Sequence, residues 1–459
     1  FQLLGESIIL SLIALFIALI LVELILPEFN SFFNRSLQIG YSTSVSTILY
    51  FILIASFFGF LAGVYPAIFL STKRLFNTFK SISRISKFRN YTIIGQFVIS
   101  ILLIMCSIIV IKQLNYIQNT PLGFDPTYII KIPINRELGA KFDTYSNEIL
   151  KNNNILNITC GQSVPFNEDY KTGGIDWQGK DPGLSPLFRY SITTNKFVET
   201  FGMTMVKGRS FSKDYPSDLS NFIVNEEAVK FMGLENPIGE KIKMWEDEGE
   251  IIGIVKDFHH VSLHKKILPH IISINPKHYG ALKHIFIKIS STEIQQSIDH
   301  IQETTKKFAP ETAFEFKFID EEINILYDSE QKLSKVIILF TLVALFISAL
   351  GVFGMTAFLV EQRTKEIGIR KINGASVANI VILLNKKIVK WIVIASIVAG
   401  PIAYGTSFIW LTNFAYKTSL SWWILIISGG LALVIALITS CYETAIAALK
   451  NPIEALRYE

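Results

Sequence analysis

The chain has 459 residues, of which half are apolar and only 18% are charged. Its mean hydropathy of +0.40 is too high for an ordinary soluble protein, while its charged fraction is too large for a chain buried entirely in lipid. The formal net charge of +5 does not indicate nucleic-acid binding, because the basic residues cluster beside apolar runs, where membrane topology explains them. The composition therefore favours a polytopic membrane protein that carries a sizeable aqueous domain.

The cysteines and the first residues limit the possibilities further. Cys106, Cys160 and Cys441 are far apart in the sequence, so no disulfide framework or zinc spacing follows from them. The chain begins with Phe1, and no signal-peptide n-region precedes its first apolar run. We expect the sequence to start within a longer protein.

Six apolar stretches have the length of about 20 residues that a helix needs to cross a bilayer. Two of them lie in 1–66, two lie in 386–442, and single spans occupy 91–112 and 334–360. Lys and Arg are concentrated in the connections at 67–90 and 361–385 and recur in the tail at 443–459. The positive-inside rule predicts that these three segments are cytoplasmic and that 113–333 lies outside the cytoplasm.

An internal repeat relates the two ends of the chain. The two spans within 1–66 align with the two within 386–442, and the segments that follow them are similar. The chain is expected to hold one complete unit, preceded by the last two spans of an earlier copy; such duplication is common in transporters. The alignment places Glu6 opposite Lys386. Glu6 lies near a cytoplasmic span end, where headgroups or water can reach its carboxylate, and the alternative hypothesis is that the two opposite charges pair within the membrane.

The large segment 113–333, which we call the large domain, is predicted to be an α/β domain. Two β-α-β units bracket an inserted subdomain at about 165–280. Their elements are strands at 128–133 and 155–164 around a helix at 137–151, and strands at 284–289 and 313–319 around a helix at 291–308. Ser291 or Thr292 is expected to cap the last of these helices. Asp320 is expected to cap a further helix that continues unbroken into the span at 334–360 as a stalk.

Catalytic, cofactor and metal sites are not predicted. The stretch 174–180 has P-loop spacing, but Asp181 stands where a Ser or Thr would hold magnesium. His260 and His264 have helical ligand spacing without the glutamate of a zinc-protease motif, so a surface turn at 257–260 is the simpler interpretation. We therefore expect a chain that is not itself an enzyme.

The charged segment at 361–376 lies between two apolar spans. Composition alone would make it a positive-inside loop. However, Glu366, Arg370 and Lys371 alternate with Ile367 and Ile372 at helical spacing. This pattern predicts a short amphipathic helix at the membrane surface, able to lie in a groove of a partner.

The charged segment strongly resembles the cytoplasmic signature of MacB/FtsX-type ABC transporter permeases, with Asn373 standing where Leu or Met is more usual. Further motifs in the same order resemble this family, and those within the large domain resemble the MacB-like periplasmic core domain. They lie at 65–67, 201–203, 207–211, 224–226, 233–239, 251–258 and 451–457.

The resemblance implies that a separate cytoplasmic ATPase uses ATP and Mg, and that its movements are transmitted through the membrane to a periplasmic domain for efflux or export. It also implies a bacterial inner-membrane location, a dimeric or single-chain pseudo-dimeric permease, and association with lipid and possible adaptor and outer-membrane channel partners. The implied ATPase-coupling residues are Arg363, Lys365, Glu366, Ile367, Gly368, Ile369, Arg370, Lys371, Gly374 and Ala375. The alternative is an FtsX-like regulator that activates an extracytoplasmic partner such as a cell-wall hydrolase; peptide, drug, lipoprotein and siderophore remain open as substrates.

Overall fold

A computed structural model of the protein describes residues 2–33, 36–38, 45–71, 78–167, 170–183 and 186–449. The side chains of the predicted linker at 67–90 and the tail beyond residue 449 lie outside the described part. The chain divides into two compact units. The first comprises 1–100, 343–397 and 429–459, and the second comprises 101–342 and 398–428.

Helices and strands are numbered in chain order. The helices are α1 (Gln2–Phe33), α2 (Val45–Ser71), α3 (Thr78–Asn119), α4 (Arg136–Ala140), α5 (Phe142–Ile149), α6 (Phe197–Thr200), α7 (Glu226–Met232), α8 (Ile294–Phe308), α9 (Ile319–Leu326), α10 (Asp328–Gln362), α11 (Thr364–Ile372), α12 (Val377–Leu411) and α13 (Trp423–Leu449). The strands are β1 (Ile129–Pro133), β2 (Ile155–Gly161), β3 (Lys171–Thr172), β4 (Ile175–Trp177), β5 (Phe188–Ile192), β6 (Met205–Gly208), β7 (Phe222–Asn225), β8 (Lys241–Met244), β9 (Asp247–Val255), β10 (His270–Ser273), β11 (His284–Ile289) and β12 (Lys317–Phe318).

Within the described residues, six helices are long and apolar enough to cross a membrane: α1, α2, α3, α10, α12 and α13. They contain the six predicted spans. The helical form is favoured in lipid because each backbone N–H and C=O finds its partner within the same segment. Large apolar side chains on these helices are exposed, among them Leu10 and Phe16 at 66% each, as lipid-facing surfaces require. The chain is a multi-pass membrane protein, as predicted.

Small residues bring α1 and α2 together. A Cβ atom added to Gly59 or to Gly63 would lie 2.9 Å from atoms of α1, so both positions require glycine at this separation. Ser11 Oγ donates a hydrogen bond to the carbonyl of Ala55, 2.7 Å away. Close backbone approach at glycines spaced by four residues is a common way for membrane helices to associate.

The large domain is built on a four-stranded sheet of order β12-β1-β11-β2, in which every neighbouring pair is antiparallel. Helices α4, α5 and α8 share a core with it that includes Tyr145, Ile287 and Ile301. The two predicted β-α-β units are present, and their strands interleave in a split β-α-β arrangement.

Three details of these units differ from prediction. The helix expected at 137–151 is broken at Lys141 into α4 and α5. Helix α8 begins after Glu293 in a left-handed conformation without a side-chain cap, so Ser291 and Thr292 do not cap it. The strand expected at 313–319 is reduced to β12.

A second sheet is inserted between β2 and β11, within the limits of 165–280 that were predicted. Its strand order is β3-β5-β10-β7-β9-β8-β4, and β6 pairs with β9. Strands β5 and β10 are parallel, as are β7 and β9, while the other pairs are antiparallel. Phe188, Phe222 and Ile271 lie in the core between this sheet and α7.

The predicted unbroken stalk is wrong, because the helix ends at Leu326 and restarts at Asp328. Tyr327 departs from helical geometry, with φ −108° and ψ 10°. Its hydroxyl accepts a hydrogen bond from the backbone N–H of Leu263, 3.0 Å away. Asp320 lies inside the first turn of α9, and Phe318 occupies the cap position instead.

Candidate functional site

The charged segment folds as a separate helix, α11, between α10 and α12. Arg363 lies at the break between α10 and α11, with φ −108°. At the other end, Gly374 adopts φ +87° and donates to the carbonyl of Lys371, while Ala375 donates to that of Arg370. This is a Schellman ending, in which a left-handed glycine satisfies the last carbonyls of a helix. Glycine at 374 therefore fixes the length of α11.

Ile367 anchors α11 to the start of α12. Its side chain is only 8% exposed and packs with Ile380 and Leu384. Burying an isoleucine contributes roughly 1.5–3 kcal/mol, which is enough to hold a nine-residue helix that would be marginal alone. Ser376 accepts a hydrogen bond from the backbone N–H of Asn379 and so caps α12.

The opposite face of α11 is apolar and exposed. Ile369 and Ile372 lie one turn apart and are 52% and 60% exposed. The sequence pattern grouped Ile367 with Ile372, but the structure separates them: Ile367 packs internally, whereas Ile372 is open to a partner.

Charged side chains border this exposed face. Glu366 Oε1 lies 2.9 Å from Arg370 Nη2, and Glu366 Oε2 lies 3.6 Å from Arg363 Nη1. These side chains are partly exposed, so the pairs contribute no more than about 1 kcal/mol to stability. Their main effect is to hold the charged groups in place along the edge of the exposed apolar face of α11.

The remaining predicted coupling residues lie on the same element. Gly368 is buried within α11 and Lys371 is half-buried, while the Lys365 side chain falls outside the described part. Glu6 accepts a hydrogen bond from the side chain of Gln2 within α1. The pairing of Glu6 with Lys386 stays a prediction, and the test is whether Glu6→Lys combined with Lys386→Glu rescues the single variants.

A second site lies in the second unit, where α3 holds the connection between α12 and α13. Gln113 is fully buried. Its Nε2 donates to the carbonyl of Tyr416 at 2.9 Å, and its Oε1 accepts from the N–H of Thr418 at 2.8 Å. Lys112 Nζ donates to the carbonyl of Ser419 at 2.8 Å. The sequence showed polar residues at this end of α3 but not what they bind.

The same connection is bonded to the large domain. The N–H of Ala415 donates to the carbonyl of His264, and the N–H of Tyr416 donates to that of Leu263, both at 3.3 Å. The rings of Phe414 and His264 stack with centroids 4.3 Å apart. We use the name junction for segment 258–268 together with the parts of the chain packed around it, which are α3, the 412–421 connection and Tyr327.

Helix α10 enters the junction at its first turn. Glu330 Oε1 lies 3.5 Å from His264 Nε2. The aromatic core of the junction includes Phe258, Tyr327 and Phe414, all buried. The 412–421 connection and the first turn of α10 thus contact segment 258–268 directly, and α3 holds the connection in place.

Hydroxyl pairs join α3 to α10 along their length. In the first unit, Ser100 and Ser348 are 2.9 Å apart. In the second, Ser107 and Thr341 are also 2.9 Å apart. Such interhelical hydrogen bonds contribute about 0.6 kcal/mol each in membranes, so they fix the register of the two helices more than their stability.

Two histidines next to the junction are buried, which corrects the predicted surface turn at 257–260. The rings of His260 and His270 have centroids 5.7 Å apart, and both are inaccessible. Burial, helped by the positive charge of Arg189, lowers the pKa of His260 to about 3. Burial also holds the pKa of His270 well below its usual range. Both rings are therefore neutral at pH 7, and no cluster of metal-ligating residues is present among the described side chains.

Acidification should destabilise the large domain. In the unfolded chain a histidine takes up a proton near pH 6.5, whereas His260 in the fold does so only near pH 3. Between these values the unfolded state binds more protons, so stability falls as the pH falls. From pH 7.5 to 5.5 the loss is about 1.4 kcal/mol for each histidine. Calorimetry of the full chain in lipid nanodiscs should show a lower Tm at pH 5.5. His260→Phe should remove only part of the shift, because burial also lowers the pKa of His259 and of His284. A Tm independent of pH would contradict the burial.

Part of the chain matches a known protein family, and a longer part is similar to a known transporter protein. Residues 338–452 match the model of the FtsX-like permease C-terminal family. The Macrolide export ATP-binding/permease protein MacB of Bdellovibrio bacteriovorus is 24% identical over 298 residues, which cover 62% of this chain and 44% of that protein. The chain thus spans less than half the length of this relative.

Solved structures with low overall similarity include two transporter domains. The periplasmic region of MacB from Actinobacillus actinomycetemcomitans has a TM-score of 0.32 and 19% identity, covering 46% of this chain and 97% of that one. The extracellular domain of the noncanonic ABC-type transporter YknZ from Gram-positive bacteria has a TM-score of 0.30 and 12% identity, covering 41% and 99%.

The family match falls on the part of the chain that contains α11 and most of α10, and the sequence relative extends the likeness to most of the chain. The long apolar helices, the α/β domain and the helix at the charged segment agree with this assignment. Residues 338–452 thus match the FtsX-like permease C-terminal family, and the chain as a whole is similar to MacB-type ABC transporter permeases.

Proposed function

We propose that the chain is the permease subunit of an ABC-type export complex, in which a separate ATPase drives movement of the large domain. The observation that carries the proposal is that the isoleucines of α11 have two different environments. Ile367 packs against α12, while Ile369 and Ile372 are exposed between charged residues. An exposed apolar pair on a helix fixed to its own chain suits docking in a partner's groove. The charged segment is then cytoplasmic and the large domain periplasmic, in a bacterial inner membrane.

In this proposal ATP and Mg bind the partner ATPase, and this chain transmits the movement of that partner to the large domain. A push on α11 acts on α10 and α12 directly, because α11 is continuous with both. The junction then passes the displacement to segment 258–268 of the large domain. The bonds of Gln113 and the Tyr327 hydroxyl support this route, because they tie α3, the 412–421 connection and the α9–α10 break to that segment.

The proposal extends to partners and cargo only in general terms. Macrolide export is what the name of the relative states of that protein. For this chain we propose export or efflux, with a second permease unit completing the membrane part and a periplasmic adaptor and outer-membrane channel as further components. Regulation of a cell-wall hydrolase is the competing role, and the partner captured by the large domain in the full-length chain separates the two.

Charge reversal on α11 tests the proposal. The full chain is reconstituted in lipid vesicles with the ATPase that copurifies with it, and ATP hydrolysis and transport are measured together. Arg370→Glu or Glu366→Arg should lower transport per ATP hydrolysed at least fivefold, because each reverses the border of the docking surface without removing a buried group. Combining both substitutions restores the pair across α11 and should recover part of the coupling.

Lys230→Glu serves as the control, because it reverses an exposed charge on α7, which belongs to the second unit and not to the first. Membrane insertion should be the same for all these variants. Unchanged coupling in both α11 single variants would refute the assignment of this segment.

A further inference from the structure

A groove of about 1320 Å³ lies within the large domain, on one side of the four-stranded sheet. One wall comprises residues of α4, α5 and β2, and the other comprises residues of the inserted subdomain at 194–219 and 274–282. The proposed coupling role makes no use of it. All of the groove belongs to the second unit.

The free edge of β2 lies along this groove. Strand β2 is the last strand of its sheet, with β11 on its other side. Residues Leu156, Asn157 and Ile158 line the groove. A strand at a sheet edge presents backbone donors and acceptors that another extended chain can pair with.

Backbone geometry shows which groups of β2 face outward. Cys160 N–H donates to Thr194 Oγ1 at 2.8 Å, and Cys160 C=O accepts from Thr194 N–H at 3.0 Å. Cys160 therefore points its backbone away from β11. Alternate residues of a strand face the same edge, so Ile158 also directs its N–H and C=O away from β11, toward the groove.

The protein itself begins a strand on this edge and then leaves it. Thr193 bridges to Gly161, and Thr194 pairs with Cys160 as above. At Lys196 the chain adopts a left-handed conformation, with φ +69°, and turns into α6. Asn195 Oδ1, beside this turn, is buried and has no hydrogen-bond partner within the described structure. The edge is thus continued for two residues and left open at Ile158.

Charge around the groove indicates what would enter it. Its lining includes four basic side chains, Arg136, Lys141, Lys196 and Lys213, and two acidic ones. Of the acidic pair, Asp218 is buried and engaged by Arg209, and Asp143 is paired with Lys213 at 2.7 Å. Lys196 Nζ also lies 3.8 Å from Glu199 Oε1. Among the described lining residues, Arg136 and Lys141 therefore supply the positive charge that is left over, and an incoming segment with carboxylates is favoured.

Apolar side chains line the same space. Leu156 is 53% exposed, Tyr215 is 51% exposed and Leu219 is 42% exposed. An added strand places alternate side chains on opposite faces, so an apolar residue at every second position could contact these groups while carboxylates meet the cations.

We propose that this groove binds an extended, acidic segment of a partner polypeptide by adding it as a strand to the edge of β2. Backbone hydrogen bonds at Ile158 fix the register of the added strand. The basic side chains around the groove, which we call the basic rim, select for carboxylates. This interaction is separate from the coupling at α11, so either can fail without the other.

A peptide selection tests the proposal directly. A displayed library of random decapeptides is selected against the full chain in lipid nanodiscs, after removal of binders to empty nanodiscs. Enriched peptides should carry Asp or Glu together with β-branched residues at alternate positions. Each is then synthesised in two forms, with the backbone N atoms methylated at the odd or at the even positions. Only one form should lose binding, by at least tenfold in Kd, because an added strand bonds through alternate amides.

The rim is tested by the variant Arg136→Glu with Lys141→Glu, which reverses the two exposed cations left over and should weaken binding at least tenfold. The matched control, Lys230→Glu, reverses an exposed charge outside the groove and should change Kd less than twofold. The proposal is overturned if the library yields no enrichment, if the two methylated forms bind equally, or if the rim variant and the control behave alike.

Discussion

Changing Ile372 to glutamate should abolish stimulation of the partner ATPase while leaving the chain folded in the membrane. Ile372 is 60% exposed on α11 and is not part of the buried cluster around Ile367, so the substitution should disturb little internal packing. In the docked complex the isoleucine would be buried, which is worth roughly 1.5–3 kcal/mol, and a charge in its place adds a desolvation cost. We expect Kd for the ATPase to rise about a hundredfold, measured by titrating the ATPase onto the chain in nanodiscs.

Asn373→Glu provides the matched control, because it places the same charge one residue further along, at an exposed position that ends α11. It should change Kd by less than threefold. If both variants bind like the wild-type chain, the exposed isoleucines are not the docking surface; if both lose binding equally, general electrostatics rather than the apolar face controls the contact.

Changing Gln113 to leucine should uncouple ATP hydrolysis from transport. The substitution leaves the carbonyl of Tyr416 and the N–H of Thr418 without their buried partner. Each unsatisfied buried group costs about 1–3 kcal/mol, so the 412–421 connection should detach from α3. ATP hydrolysis should stay within twofold of wild type, while transport per ATP falls at least tenfold.

Gln118→Leu tests whether any change of this kind on α3 has the same effect, because Gln118 is exposed on the same helix. It should leave both activities unchanged. Normal transport by the Gln113 variant, or an equal loss in both variants, would contradict the role given to the junction.

The membrane helices could be predicted because their signal is local. About 20 apolar residues in a row leave the backbone no alternative to a helix in lipid. The two β-α-β units and the inserted subdomain were also predicted, since strand and helix signals are local; the interleaved strand order of the sheet was not. In contrast, the break at Tyr327 depends on a hydrogen bond to Leu263, which lies 64 residues away along the chain. No local pattern indicates such a contact.

The candidate sites show the same limit. The helix at 364–372 was predicted from the spacing of its charges, but the different environments of Ile367 and Ile372 depend on how α12 packs. His259 and His260 were interpreted as a surface turn because adjacent polar residues usually are. They are buried because the aromatic residues Phe258, Phe414 and Tyr416 meet there from distant parts of the sequence. Aromatic residues in the short 412–421 connection were the available signal for the junction.

The central claim is that ATP-driven displacement of α11 reaches the large domain through the junction. Spin labels at Asn373 and at Lys265, on a background lacking Cys106 and Cys441, allow the distance between the two sites to be measured by pulsed electron resonance. With the ATPase bound, the distance distribution should shift between the nucleotide-free and the ATP-trapped states, and the shift should vanish in Gln113→Leu. An unchanged distribution in the wild-type chain while ATP is being trapped would contradict the account.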